Sequence, residues 1–167
     1  MADSLIDKVR KKATYFGTLT ASEDYTTFFF TSFYTNEKDK CHEYYKKFGD
    51  CVYFLSDSKI LTDESTKKIG MAGGISGWYS RFKTYEKGVD GDQTNRFMLK
   101  EMKKLGIKTL YVYGLPAPRE TILVKCPLTG DTVQIENRIA RPMEAHYTEL
   151  YLKEKSTNKL PLCKQHK

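Results

Sequence analysis

Five side chains in this sequence combine functional groups able to act on a phosphate ester. Tyr53 closes the short apolar run Cys51-Val52-Tyr53, and Lys68 opens the run Lys68-Ile69-Gly70. Arg81 and Tyr85 lie one helical turn apart and share a face. Glu144 stands at the start of the last helical pattern, which Leu160-Pro161 follows. A phenol can hydrogen-bond and, when activated, take a proton. A guanidinium presents a planar fork that matches phosphate oxygens. A carboxylate holds a hard divalent cation. Each residue taken singly has a plainer reading: Tyr53 and Tyr85 as core tyrosines, Lys68 as a strand-edge lysine and Arg81 as a solvated arginine. Glu144 alone is an acid favoured at a helix N-terminus, and Glu136 and Glu149 compete with it as candidate carboxylates. The residue types in this order are what favour the chemical reading. His42 and His146 read as surface or packing residues. Gly73-Gly74 could cradle a phosphate, but more simply turns a strand into a helix.

The elements that must position these groups follow from periodicity and punctuation. Residues 4–13 predict a short basic helix with Leu5 and Val9 on one face. Residues 14–34 are rich in Thr, Tyr and Phe and predict strands, with a turn at 20–24. Residues 36–48 predict a helix capped by Asn36, carrying a stripe of Cys41, Tyr44, Tyr45 and Phe48 and ended by Gly49. Strands are expected at 51–55 and 67–71, around a turn-rich stretch. A helix at 76–87 places Trp78, Phe82 and Tyr85 on one face. After a break at 88–91, a helix at 92–105 would turn Phe97, Met102 and Leu105 inward until Gly106 stops it. Residues 109–115 alternate as a strand. Residues 121–126 and 132–135 suit a hairpin around Leu128-Thr129-Gly130-Asp131, but 133–140 also reads as helix, and periodicity leaves both open. The last helix is expected over 142–154, with Pro142 in its first turn.

Composition limits what such a scaffold can serve. The chain has 167 residues, enough to bury a core without disulfides, and its 40 % hydrophobic and 29 % charged residues are ordinary for a globular domain. Its net charge is +7, spread over several clusters, which favours polyanionic partners. The four cysteines form no CxxC pair and the three histidines have no zinc-ligand spacing. The thiols are therefore expected to be free, in a reducing, cytoplasmic compartment. No signal peptide and no run long enough to span a bilayer is evident, so no membrane partner is expected.

The segments Cys51-Val52-Tyr53, Lys68-Ile69-Gly70, the Arg81–Tyr85 helix and the late Glu144 together resemble the GIY-YIG nuclease superfamily. The resemblance covers roughly residue 50 to the C-terminus, about two-thirds of the chain, and is closest to the small type II restriction endonucleases of that superfamily. The best local match runs from Lys68 to Tyr85. There are departures: Cys51-Val52 stands for Gly-Ile, and Lys68 for a tyrosine. The asparagine often found after the last helix is missing, with Leu162, Cys163 and Lys164 at the matching positions and Asn158 nearby.

The resemblance implies a metal-dependent endonuclease that hydrolyses DNA phosphodiester bonds. It implies catalytic roles for Tyr53, Lys68, Arg81, Tyr85 and Glu144. Tyr53 would accept the proton of the attacking water or orient that water, and Lys68 would favour its phenolate. Arg81 and Tyr85 would hold the scissile phosphate. Glu144 would be the metal ligand, for Mg2+ with Mn2+ as a substitute. The expected fold is α/β of the α+β kind: a small central antiparallel sheet flanked by helices. Residues 50–167 would form the nuclease core, and residues 1–49 an N-terminal extension for target recognition or dimer contacts. The loop 87–95 and the hairpin near Gly130 would share in recognition. The expected partner is double-stranded DNA, cut by a homodimer or in two visits, because one site cuts one strand. A non-catalytic nucleic-acid-binding module, a homing or repair-type nuclease of the same superfamily, and an adaptor of acidic partners remain the alternatives. No aromatic RNA-binding signature is present.

Overall fold

The computed structural model describes residues 3–33, 49–73 and 77–164. The predicted helix over 36–48, with Cys41 and His42, lies outside the described residues.

The chain opens with α1 (Leu5–Lys12). Ser4 caps it by accepting from the Asp7 N–H at 3.1 Å, while the Asp7 carboxylate reaches back to the Ser4 N–H, a reciprocal capping box. Leu5, Ile6 and Val9 are buried, which fixes the inward face. Strands β1 (Thr14–Ala21), β2 (Phe28–Ser32), β3 (Cys51–Ser56), β4 (Thr66–Ala72) and β5 (Thr109–Pro116) form one sheet in the order β2-β1-β5-β3-β4, antiparallel throughout. All six residues of β3 are buried, because helices cover both sides of this strand. Strands β1 and β2 continue the same sheet beyond β5, so residues 14–32 pair edge-on with the strands that follow.

On one side of the sheet, α2 (Gly77–Tyr85) and α3 (Gln93–Leu105) pack Trp78, Phe82, Met98 and Met102 on Phe16, Leu19, Tyr53 and Leu110. A 3-10 turn at Gly88–Asp90 joins the two helices. On the other side, α1 and α4 (Ala140–Glu154) cover Val52, Phe54 and Ile69. Helix α3 starts at the Asp92 cap and ends at Gly106, whose φ of 67° is the left-handed conformation that glycine adopts without a Cβ clash. Its buried stripe is Asn95, Met98, Leu99 and Met102, a full i, i+3, i+4, i+7 repeat. Of the three positions expected inward, only Met102 is buried: Phe97 is half-buried and Leu105 is exposed. The expected stripe was rotated, because Met98 and Leu99 claim the sheet face first.

Between β5 and α4, strands β6 (Arg119–Lys125) and β7 (Thr132–Arg138) form a separate two-stranded hairpin, every residue of which is exposed. The helical alternative for 133–140 is thereby corrected up to Arg138. Helix α4 begins at Ala140, two positions before the expected start, and Glu144 falls in its second turn. Cys51, Cys126 and Cys163 are free thiols, and no described helix is long and apolar enough to cross a membrane.

Candidate active site

Strand β4 is an edge of the sheet, and helices from opposite layers reach that edge: α2 from one side, α4 from the other. Between them lies a cleft of about 570 Å³. Tyr53 of β3, Lys68 of β4, Arg81 of α2 and Glu144 of α4 all line it. Four residues far apart in sequence therefore meet on one wall system.

The position of Tyr53 depends on what stands beside it. Its cross-strand partners are Gly70 on β4 and Gly114 on β5. A Cβ at Gly70 would fall inside the Tyr53 ring, against Cζ, so the ring can lie across β4 toward the cleft only because residue 70 has no side chain. Sequence reasoning quoted Gly70 within its motif without this reason. Gly70→Ala is expected to displace the Tyr53 ring and lower the thermal unfolding midpoint; a parental midpoint with an unmoved Tyr53 ring would contradict this packing argument.

The Tyr53 ring is 1 % exposed and packs edge-to-face on Phe82, with centroids 5.1 Å apart. Its hydroxyl shares a 2.7 Å hydrogen bond with the Tyr85 hydroxyl. Tyr85, expected at the phosphate, is fully buried behind Tyr53 and supports the Arg81 guanidinium, which lies 4.9 Å above its ring centroid. Burial pushes the Tyr53 phenol well above its ordinary value, and Tyr85 adds to that shift; Lys68 and Arg81 pull the other way and do not overcome it. Burial likewise raises Tyr85. The expected cationic help for the Tyr53 phenolate is thus present but outweighed by desolvation, and the hydroxyl is protonated at neutral pH.

Arg81 is held from two directions. Burial opposes its charge, but the neighbouring Tyr53 and Tyr85 oxygens and Asp92 favour it more strongly. Asp92 Oδ2 stands 3.7 Å from Nη1, while Asp92 Oδ1 caps α3 by accepting from the Asn95 N–H at 2.9 Å. The Arg81 Nε is buried and has no hydrogen-bond partner among the described residues. The side chain keeps about 29 % of its surface exposed, so its guanidinium can still meet an anion in the cleft. Asp92 was placed at the start of the 92–105 helix, with no sign in the sequence that it partners the arginine.

The cleft carries excess positive charge. Arg138 and Arg141 line it beside Lys68 and Arg81, against the carboxylates Asp50 and Glu144. Asp50 is taken up by Arg119, which donates from Nε at 2.8 Å and from Nη2 at 3.2 Å. Sequence reasoning passed over Arg138 and Arg141, although Arg141, three residues before Glu144, shares its helix face. Glu144 is half-buried on the cleft wall. Among the described residues there is no group of three or more His, Cys, Asp or Glu that could hold a metal ion. The described residues therefore build no soft or tetrahedral site. A single carboxylate facing an open cleft would suit a hard cation that completes its shell with other oxygen ligands.

No family model and no curated protein matches the chain. Among solved structures it is similar to "Restriction endonuclease HPY188I in complex with product DNA", with 17 % sequence identity and a TM-score of 0.48 over 95 % of this chain and 84 % of that chain.

Proposed function

We propose that this protein is a metal-dependent DNA endonuclease of the GIY-YIG kind, acting as a type II restriction enzyme on double-stranded DNA. The observation that carries the reading is the convergence of Tyr53, Lys68, Arg81 and Glu144 on one cationic cleft.

The chemistry follows from the groups present. Hydrolysis of a phosphodiester needs an activated water, neutralised charge at phosphorus and a stabilised departing oxygen. Arg81 binds a non-bridging oxygen of the scissile phosphate through the part of its guanidinium that faces the cleft and is held in place by the Tyr85 ring and Asp92. Tyr53 orients the attacking water; after giving up its own proton to solvent, its phenolate oxygen, beside the Tyr85 hydroxyl, accepts the water's proton and becomes the neutral phenol again. Lys68 and Arg81 lower the cost of the phenolate that Tyr53 must form before it takes that proton. Glu144 would hold the divalent cation, Mg2+ or Mn2+. That ion supplies charge neutralisation at the departing 3′ oxygen.

One cleft cuts one strand, so cleavage of a duplex requires a homodimer or two visits. The exposed β6–β7 hairpin and the N-terminal residues are the candidates for target recognition and dimer contact. Cytoplasmic residence suits free thiols and a DNA substrate. Metal removal tests the reading: cleavage of duplex DNA is expected to require Mg2+ or Mn2+ and to stop with a chelator. Full activity in chelator would remove the role given to Glu144.

A further inference from the structure

Helix α4 begins in an unusual electrostatic setting. Its cap residue, Ile139, offers no side-chain hydrogen bond, and no acidic residue lies in the first turn. The Met143 N–H donates to the Ile139 carbonyl at 3.0 Å, and Pro142 has no N–H. The N–H groups of Ala140 and Arg141 are left for another acceptor. The partial positive charge of a helix N-terminus favours acids nearby, yet here it is joined by Arg138 and Arg141. Neither arginine forms an ion pair with a carboxylate among the described residues. Arg138, Ala140 and Arg141 all line the cleft.

A second, independent feature points into the same space. Lys68 is only 8 % exposed, lines the cleft beside Ala140 and Arg141, and has no hydrogen-bonding or ion-pair partner among the described residues. A largely buried lysine whose ammonium meets no carboxylate favours an anion beside it. The cleft also continues past this point into a groove of about 840 Å³ along α4, and the two share Lys68, Thr94, Arg141 and Glu144. Within the cleft itself Arg81 shares one open space with Arg138, Ala140 and Arg141, so a linear anion seated at Arg81 can reach the start of α4.

We propose that the N-terminus of α4, with Arg138 and Arg141, is a second phosphate subsite. It grips a backbone phosphate neighbouring the scissile one, so that the strand is held on both sides of Glu144. This rests on the DNA-cleaving reading above and adds to it a site that fixes the path of the strand. Backbone N–H groups at a helix start, backed by guanidinium forks, suit the oxygens of a phosphodiester. Arg138 and Arg141 are positioning residues: they hold the strand, and the bond-breaking groups lie elsewhere in the cleft.

The test compares the full-length parent with Arg138→Ala/Arg141→Ala and with a charge-matched control, Lys103→Ala/Lys104→Ala, whose lysines lie outside both cavities. Affinity for a short duplex oligonucleotide is measured in chelator over a range of salt concentrations, alongside thermal unfolding. The arginine variant is expected to bind roughly tenfold to hundredfold more weakly. The slope of log affinity against log salt should fall by about 1 to 2. The control should keep the parental slope. The unfolding midpoint of the arginine variant should hold or rise, because unpaired cations leave a helix N-terminus; a merely structural pair would lower it. In Mg2+, most of the cleavage defect should appear in KM rather than in kcat. Parental affinity and slope in the arginine variant, or an equal change in the control, would overturn the subsite while leaving the cleavage reading intact. A parent that binds no duplex at all would overturn both.

Discussion

Glu144→Ala is expected to fold, to bind DNA at least as tightly as the parent, and to lose cleavage. Glu144 lies in the second turn of α4, between the partly buried Met143 and Tyr147 that anchor the helix to the sheet. Those anchors remain in the variant, and alanine is the best helix former, so the helix should persist. The substitution removes a negative charge from a cleft that otherwise attracts phosphates, which favours binding. It also removes the carboxylate that would hold the cation. A helix-surface acid with no chemical role gives a different pattern: a stability loss of about 0.3–1 kcal/mol and unchanged cleavage. Gel-shift retention measured beside single-turnover cleavage separates the two, and a variant cutting at the parental rate would remove Glu144 from the site.

Tyr53→Phe is expected to cost roughly two to four orders of magnitude in single-turnover cleavage, the range typical of a general acid–base group. The ring keeps its packing on Phe82 and its place over Gly70, so folding should survive. What is lost is the hydroxyl and its bond to Tyr85. The raised pKa adds a pH signature. Burial favours the neutral phenol, so the proton-accepting phenolate is scarce at neutral pH and, while the pH stays below its pKa, grows about tenfold for each unit the pH rises. Parental cleavage should therefore climb from about pH 6 to about pH 9. The part of that climb due to Tyr53 should vanish in the variant. Near-parental turnover by Tyr53→Phe would mean that another tyrosine handles the water; Tyr79 would be examined next, since Tyr85 is sealed behind Tyr53.

Much of the site was legible because short local patterns fix where a side chain points. Cys51 to Leu55 reads as an apolar strand, and Lys68 and Gly70 share a strand face by their two-residue spacing. Trp78, Phe82 and Tyr85 fix the buried face of α2, which leaves Arg81 at its margin. The fold class followed from alternating strands and amphipathic helices. Other features depend on contacts that sequence spacing does not encode. The pairing of β1 with β5 joins residues far apart and brings the N-terminal strands into the sheet. The β6–β7 hairpin has no core to bury against, so Val133 and Ile135 show little of the burial pattern that would separate strand from helix. The depth of Tyr85, and hence its hold on Tyr53 rather than on the cleft, depends on the ring of Phe28 at 5.8 Å, which arrives from β2. Arg138 and Arg141 carried no motif; their significance lies in the uncapped helix start between them.

The most direct measurement is the fate of supercoiled plasmid incubated with the purified protein in Mg2+. Conversion to nicked and linear forms is expected, resolving into discrete fragments when cleavage is sequence-specific, with Glu144→Ala and Tyr53→Phe leaving the plasmid supercoiled under the same conditions. Plasmid that stays intact with a folded, DNA-binding parent in Mg2+ or Mn2+ would contradict the nuclease assignment and leave a non-catalytic DNA-binding protein in its place.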